Sequence, residues 1–217
     1  GVETWGQIFF QCFGQSEAPM ALTHLKKKDH DLSKPERFAS CGRPSPWVHI
    51  ALLGEDNEPV AKGEPGEICV RAPLVMEGYN GLPEQTEEAF AGGWLHTGDV
   101  GRFDDEGYLH IVDRKKDMIV TAGYNVYPAE IERVVAGHPA VALVAVGSVA
   151  DDMKGELAKA YVVLNHGATA TEDEIIEYCR GTLAAYKVPR RVQFVDDVPK
   201  TSTGKIMRRM LRTLDDA

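Results

Sequence analysis

The sequence predicts an α+β protein in two successive parts, and three observations carry that prediction. Short apolar strands broken by turns about every 8 to 12 residues occupy roughly residues 42–112, the signature of a small β-barrel-like or sandwich-like unit. Beyond residue 114, apolar strands alternate with amphipathic helices, the pattern of a compact α+β domain. Between the two lies Asp113-Arg114-Lys115-Lys116-Asp117. Five consecutive charges cannot all be buried, so this segment is expected to be an exposed connector. The domains are accordingly expected at 1–113 and 114–217.

Taken in order, residues 4–13 (TWGQIFFQCF) read as an apolar helix or strand ending at Gly14, with helix and a following turn preferred, then a polar loop over 15–19 and a basic, irregular excursion over 26–35. Val48, Ile50 and Leu52 alternate along one strand, and Gly66 to Arg71 forms another. Proline near the start of PEQTEEAF (83–90) marks a short helix. Val100 and Phe103, then the turn Asp104-Asp105-Glu106-Gly107, then Leu109 and Ile111, form a hairpin signal. In the second part, Pro128 to Ala136 is a helix stopped by Gly137-His138-Pro139. Strands follow at 141–149 and 157–164, with a polar loop between them. Thr171-Glu172-Asp173-Glu174 is a capping box ahead of Ile175, Ile176, Cys179 and Leu183 at helical spacing. A strand over 191–195 and a basic amphipathic helix over 205–214 complete the chain.

The 217 residues carry a net charge of −9, which argues against a general nucleic-acid binder. The charge is uneven, since Lys200 to Arg212 holds five basic residues and no acid. No apolar run approaches the ~20 residues of a membrane span. The four cysteines lack C-x-x-C spacing and the seven histidines lack H-E-x-x-H, so neither pattern points to a metal. Reduced cysteines in a cytoplasmic protein are the simplest reading. Gly1 in place of methionine, with an apolar stretch right behind it, suggests a processed or truncated chain.

Three polar islands could carry chemistry. In Gly14-Gln15-Ser16-Glu17, a hydroxyl and a carboxylate side by side could hold a phosphate and Mg²⁺, although a capped turn reads the same way. In Thr97-Gly98-Asp99, an acid at a tight turn could hold both hydroxyls of a ribose, with Arg114 further on; as a turn residue alone, Asp99 is equally ordinary. Pro199-Lys200-Thr201-Ser202-Thr203-Gly204-Lys205 presents a cation suited to phosphate oxygens, or else is a solvated loop. It is not a Walker A loop, because Pro199 occupies the first glycine position and Ile206 the Ser/Thr position.

Together, in this order, these islands resemble the carboxy-terminal part of the adenylate-forming superfamily: acyl-CoA synthetases, peptide-synthetase adenylation domains and luciferases. Phe13 to Glu17 resembles the Tyr-Gly-x-Thr-Glu motif, Gly93 to Asp99 the Thr-Gly-Asp motif, and Asp113 to Asp117 with Gly123 and Pro128 to Glu132 the hinge motif. Residues 199–205 resemble the terminal lysine motif. The resemblance implies that residues 1–113 are the end of a large domain and 114–217 its small mobile partner. It further implies that Phe13 lies against adenine, that Gly14 is a cofactor-binding residue, that Ser16 meets the α-phosphate, that Glu17 holds Mg²⁺, and that Asp99 and Arg114 bind ribose. Lys205 is then the catalytic lysine of adenylation, Lys116 the pivot, and Gly123 borders the channel for the CoA thiol. Phenylalanine replaces the usual tyrosine at 13, a mild departure because stacking needs only the ring.

The implied activity is that of an acid–CoA ligase using ATP, Mg²⁺ and CoA, with a fatty or other carboxylic acid as substrate. An adenylation domain of a peptide synthetase and a truncated, non-catalytic nucleotide-binding module are the alternatives. The family's Ser/Thr/Gly-rich phosphate loop does not occur in these residues, so an upstream part of the large domain is expected as a partner, and residues 1–217 alone are expected to be very weakly active. Lys205 also resembles sites acetylated in related synthetases, which makes a protein lysine acetyltransferase a further expected partner.

Overall fold

The computed structural model describes residues 1–215, and its backbone follows the switch in apolar period read from the sequence. The chain divides into two compact units, Gly1–Lys115 and Lys116–Ala217.

In the first unit a single helical turn, α1 (Val2–Trp5), leads into β1 (Gln11–Gln15), which pairs antiparallel with β2 (Ala18–Leu25); β3 (Arg43–Pro44) adds to the other side of β2. The helix expected over 4–13 is therefore corrected. Gly6, at φ 71°, ends α1, and Phe13 is directed into the core while Ile8 and Phe10 stay exposed. Only Gln11–Phe13 of the run enter a strand, and of these Phe13 alone is buried, so the run presents no helix face. Gln15 pairs with Ala18, which shrinks the expected polar loop to the two-residue turn Ser16-Glu17. Residues 26–35 hold a short 3₁₀ turn (Lys27–Asp29), and a second (Pro35–Ala39) follows.

Four further strands, β4 (His49–Leu53), β5 (Gly66–Arg71), β6 (Leu95–Phe103) and β7 (Leu109–Arg114), form an antiparallel sheet in that spatial order, with helix α2 (Pro83–Ala89) between β5 and β6 in the chain. The sheet is open, with β4 and β7 at its edges, and does not close into a barrel. Phe13, Ala18, Leu22, Cys41, Val48, Ile68, Val70, Leu95 and Leu109 form one buried cluster under it. Gly101 permits the close approach of β5, because a Cβ there would lie 2.8 Å from Ile68 Cδ1 and 3.0 Å from Leu109 Cδ1.

The second unit opens with a 3₁₀ turn (Lys115–Asp117, beginning on the last residue of the first unit) and the hairpin β8 (Ile119–Thr121) and β9 (Tyr124–Val126). Helix α3 (Pro128–Val135) leads to β10 (Val141–Asp151) and β11 (Gly155–Leu164), then α4 (Glu172–Arg180) and β12 (Arg191–Phe194), which pairs parallel to β11. The polar loop expected between β10 and β11 is mostly strand, since their ladder runs on to Asp151 opposite Gly155. Alternation along these two strands serves two faces. Val144, Val146, Ala158, Ala160 and Val162 face Ile131 and Val135 of α3 and Ile175 and Cys179 of α4. Ala145 and Tyr161 face Val198 and Leu211 on the other side. The capping box forms as the sequence requires: the Glu174 N–H donates to Thr171 Oγ1 (3.2 Å) and the Thr171 N–H to Glu174 Oε2 (2.7 Å). The helix expected over 205–214 is instead a 3₁₀ segment, Arg208–Leu214. Lys200 bridges Ile206 in antiparallel fashion across a tight turn, which holds Ile206 in a strand-like conformation and delays the helical turn.

Candidate nucleotide site

In the first unit the site is built by the register of β6 on β7, which sets Asp99 opposite Arg114. Gly98, at φ 70°, turns the strand just ahead of Asp99, and Thr97 anchors the turn: its hydroxyl donates to the Ile68 carbonyl (2.7 Å) and accepts from the Asp99 N–H (3.2 Å). Asp99 is buried, while the Arg114 side chain is half exposed, and Arg114 Nε lies 3.1 Å from Asp99 Oδ1. Burial pushes the Asp99 carboxyl above its ordinary value; the Arg114 charge offsets this in part, and Asp113 and Glu67 add to the rise. A desolvated carboxylate of this kind makes strong charge-assisted bonds to hydroxyls.

The connector is only partly exposed. Asp113 is buried and its Oδ1 accepts the Arg114 N–H at 2.8 Å, which corrects the expectation of a wholly solvated charge run. A carboxylate that satisfies its own strand end is cheaper to bury than a free one.

Ser16 and Glu17 form the turn between β1 and β2. Glu17 Oε1 accepts the Tyr79 hydroxyl (2.8 Å), and the Glu17 carbonyl accepts the Met76 N–H (2.8 Å). The first bond holds the carboxylate and the second the backbone beneath it, and a carboxylate oxygen is the kind of ligand that a hard divalent cation such as Mg²⁺ takes. Phe13 retains 9% exposure within the core cluster, so it offers a base no more than the margin of its ring.

A network that the sequence reading did not single out lies under this site. Glu67, on β5 and 6% exposed, takes donors on both oxygens: the Gly98 N–H at Oε1 (3.1 Å), and Lys115 Nζ (2.7 Å) and His96 Nδ1 (3.0 Å) at Oε2. Burial alone would raise the Glu67 pKa, but the hydrogen bonds from His96 and Lys115 outweigh it and hold the carboxyl below its usual range. The neighbouring Cys69 thiol is pushed up to about 12 by burial and by the Glu67 charge. Glu67, Cys69 and His96 offer O, S and N atoms within 4.8 Å of one another. The Lys115 ammonium already compensates the carboxylate and the thiol is held protonated, so the cluster is a hydrogen-bonded support rather than a cation site. His96 lay inside the Thr-Gly-Asp motif, but its partner Glu67 stands 29 residues away and only the strand register brings them together.

In the second unit, Lys116 is exposed and forms no ion pair with the described residues. Gly123 (φ 82°) and Ala122 (φ 50°) are the two residues joining β8 to β9, and a Cβ on Gly123 would meet nothing within 4 Å. Lys205 is exposed where a tight loop closes: Gly204 has φ 82°, and Thr201 accepts the Lys205 N–H on Oγ1 (3.1 Å) while donating its own N–H to the Lys205 carbonyl (2.8 Å). Behind the loop, Arg208 forks onto Glu132 (2.7 and 3.2 Å) and reaches Asp117 (3.1 Å). Of the residues singled out in the sequence, the structure thus puts Asp99 and Arg114 in contact, whereas Glu17 is held by Tyr79, and Lys205 and Gly123 occupy separate loops.

Residues 2–80 match the AMP-binding enzyme family, and residues 130–205 match the AMP-binding enzyme C-terminal domain. The chain belongs to the adenylate-forming superfamily and within it resembles the acyl-CoA synthetases. It is 47% identical to the medium/long-chain-fatty-acid–CoA ligase FadD8 of Mycobacterium tuberculosis, over 97% of this chain and 38% of that protein. Among solved structures, the amide bond synthetase McbA from Marinactinospora thermotolerans is similar at a TM-score of 0.86 and 38% identity, over 98% of this chain and 42% of McbA. O-succinylbenzoate CoA synthetase from Bacillus subtilis, in complex with ATP and magnesium ion, matches at a TM-score of 0.80 and 34% identity, over 94% of this chain and 41% of that one. The chain therefore spans about two-fifths of the length of these relatives.

Proposed function

We propose that this chain is the carboxy-terminal part of an acyl-CoA synthetase acting on a fatty or other carboxylic acid in the cytoplasm. The observation that carries the reading is the buried Asp99 carboxylate set against Arg114 at the Gly98 turn, in a chain similar to an acid–CoA ligase. In the first step a substrate carboxylate oxygen attacks the α-phosphorus of ATP, the bond to pyrophosphate breaks, and acyl-AMP forms. In the second the CoA sulfur attacks the acyl carbon, AMP leaves, and the thiol proton passes to solvent.

Asp99 and Arg114 hold the ribose, Ser16 the α-phosphate, and Phe13 with Gly14 the border of the adenine. Glu17 holds Mg²⁺, which when bound neutralises phosphate charge. Lys205 places a cation where negative charge gathers during adenylation. Rotation about Lys116 then withdraws the Lys205 loop and presents the Gly123 turn for thioester formation. The exposed loop position of Lys205 also suits a protein lysine acetyltransferase, whose product would lack the charge needed in the first step.

ATP–pyrophosphate exchange and CoA-thioester formation by the complete protein, over a panel of aliphatic and aromatic acids, test this reading. Acid-dependent exchange with thioester release supports it. Exchange with amino acids only would favour a peptide-synthetase adenylation domain, and nucleotide binding without exchange would favour a non-catalytic module. Residues 1–217 alone should turn over very weakly, and full activity from them would contradict the need for upstream residues.

A further inference from the structure

The exposed Lys116 is flanked by two anchored neighbours. On its amino-terminal side, Lys115 is tied within the first unit: its Nζ lies 2.7 Å from Glu67 Oε2, and Glu67 is itself fixed by His96 and by the Gly98 N–H. On its carboxy-terminal side, Asp117 is tied within the second unit, where Oδ2 receives Arg208 at 3.1 Å. Arg208 is in turn forked onto Glu132, whose Oε1 also accepts the Val146 N–H (2.9 Å) from β10. Glu67 and Glu132 are both mostly buried and the Asp117 and Arg208 side chains are each 20% exposed, so the Arg208 pairs are screened less than surface ones, while the half-exposed Lys115 reaches a buried carboxylate from the surface.

We propose that these two anchors clamp the chain on either side of Lys116 and confine the rotation between half-reactions to the torsions of that one residue. Lys115, Glu67, Asp117 and Arg208 are then positioning residues. This inference rests on the proposed acyl-CoA synthetase reading. The clamp has a clear physical purpose. Two catalytic orientations are useful only if the moving unit returns to each of them, and every additional free backbone residue spreads the population over unproductive orientations. Releasing one more residue should dilute each productive orientation about tenfold. Arg208 adds a second effect: it follows Lys205 by three residues, so the segment that carries the lysine loop is tied to the same point as the pivot.

The test uses the complete protein with Lys115→Met, Lys115→Arg and Asp117→Asn. Lys115→Met and Asp117→Asn should speed amide hydrogen exchange over residues 115–118 and lower kcat about tenfold, with KM for ATP within about twofold of wild type. Lys115→Arg keeps a partner for Glu67 and should restore both readouts. Wild-type turnover together with unchanged exchange and kcat in both loss variants overturns the clamp. So does a kcat loss that tracks a general loss of thermal stability and that arginine does not rescue. If wild type forms no thioester from any acid yet the variants still show the exchange change, the two anchors stand as local restraints on residues 115–118, and the proposed function falls together with the rotation assigned to it.

Discussion

Replacing Asp99 with asparagine separates the cost of holding this carboxylate from its use. The side chain keeps its shape and can still accept a hydrogen bond, but the charge is gone. Bonds to a charged group contribute about 1.5–3 kcal/mol against about 0.5–1.5 for neutral ones. With two ribose hydroxyls served by one carboxylate, the loss should be about 2 kcal/mol, or ~30-fold in AMP affinity. Stability should move the other way. Burial raises the Asp99 carboxyl in the fold, so its protonated form is favoured there; the stability this contributes is full below the ordinary aspartate value of about 3.9 and is lost as pH rises through the higher folded value. Asparagine removes that dependence, and the half-exposed Arg114 left behind is hydrated by water. Asp99→Asn should therefore gain thermal stability over wild type at pH 7 relative to the difference at pH 4. Calorimetric titration with AMP and thermal unfolding at the two pH values would check both effects. Unchanged AMP affinity would refute the ribose role, and a stability loss growing toward pH 7 would refute the burial argument.

Further substitutions divide the two half-reactions. Lys205→Ala should lower adenylation by roughly 100-fold or more while leaving thiolysis of pre-formed acyl-adenylate largely intact, as read by pyrophosphate exchange and single-turnover thiolysis; parallel loss of both steps would remove Lys205 from its assigned role. Gly123→Trp should do the reverse, with up to ~2 kcal/mol of backbone strain at φ 82° visible in unfolding experiments; an unaltered thioester rate would count against the channel. Beside it, Ala122 sits at φ 50° in the hairpin turn, where Ala122→Gly should stabilise the second unit by about 1 kcal/mol in urea unfolding; an unchanged midpoint would count against strain at this turn.

Local pattern carried much of the architecture into the sequence. The hairpin at 104–107, the proline-initiated helices at 83 and 128 and the capping box at Thr171 depend on neighbours three or four residues apart, so they could be read directly. Motif order likewise put forward Glu17, Asp99, Arg114 and Lys205 as candidates without any structure. Where short-range signals were ambiguous the reading failed: the apolar run at 4–13 has no polar alternation to mark it as a strand, and its pairing with β2 decided the matter. The lysine segment, read as helix from 205, was held strand-like at Ile206 by its bridge to Lys200.

The supports of the site belong to tertiary structure alone. Glu67 meets His96 and Lys115 across separations of 29 and 48 residues, and Arg208 meets Asp117 across 91. Nothing in the local spacing of those residues predicts such pairs, because strand register and packing choose the partner of a charge after the backbone is laid down. The burial of Asp113 and Asp99 has the same origin. The sequence by itself determined which chemical groups the chain carries and in what order; folding determined which of them lost water, because burial depends on partners that only strand register and packing supply.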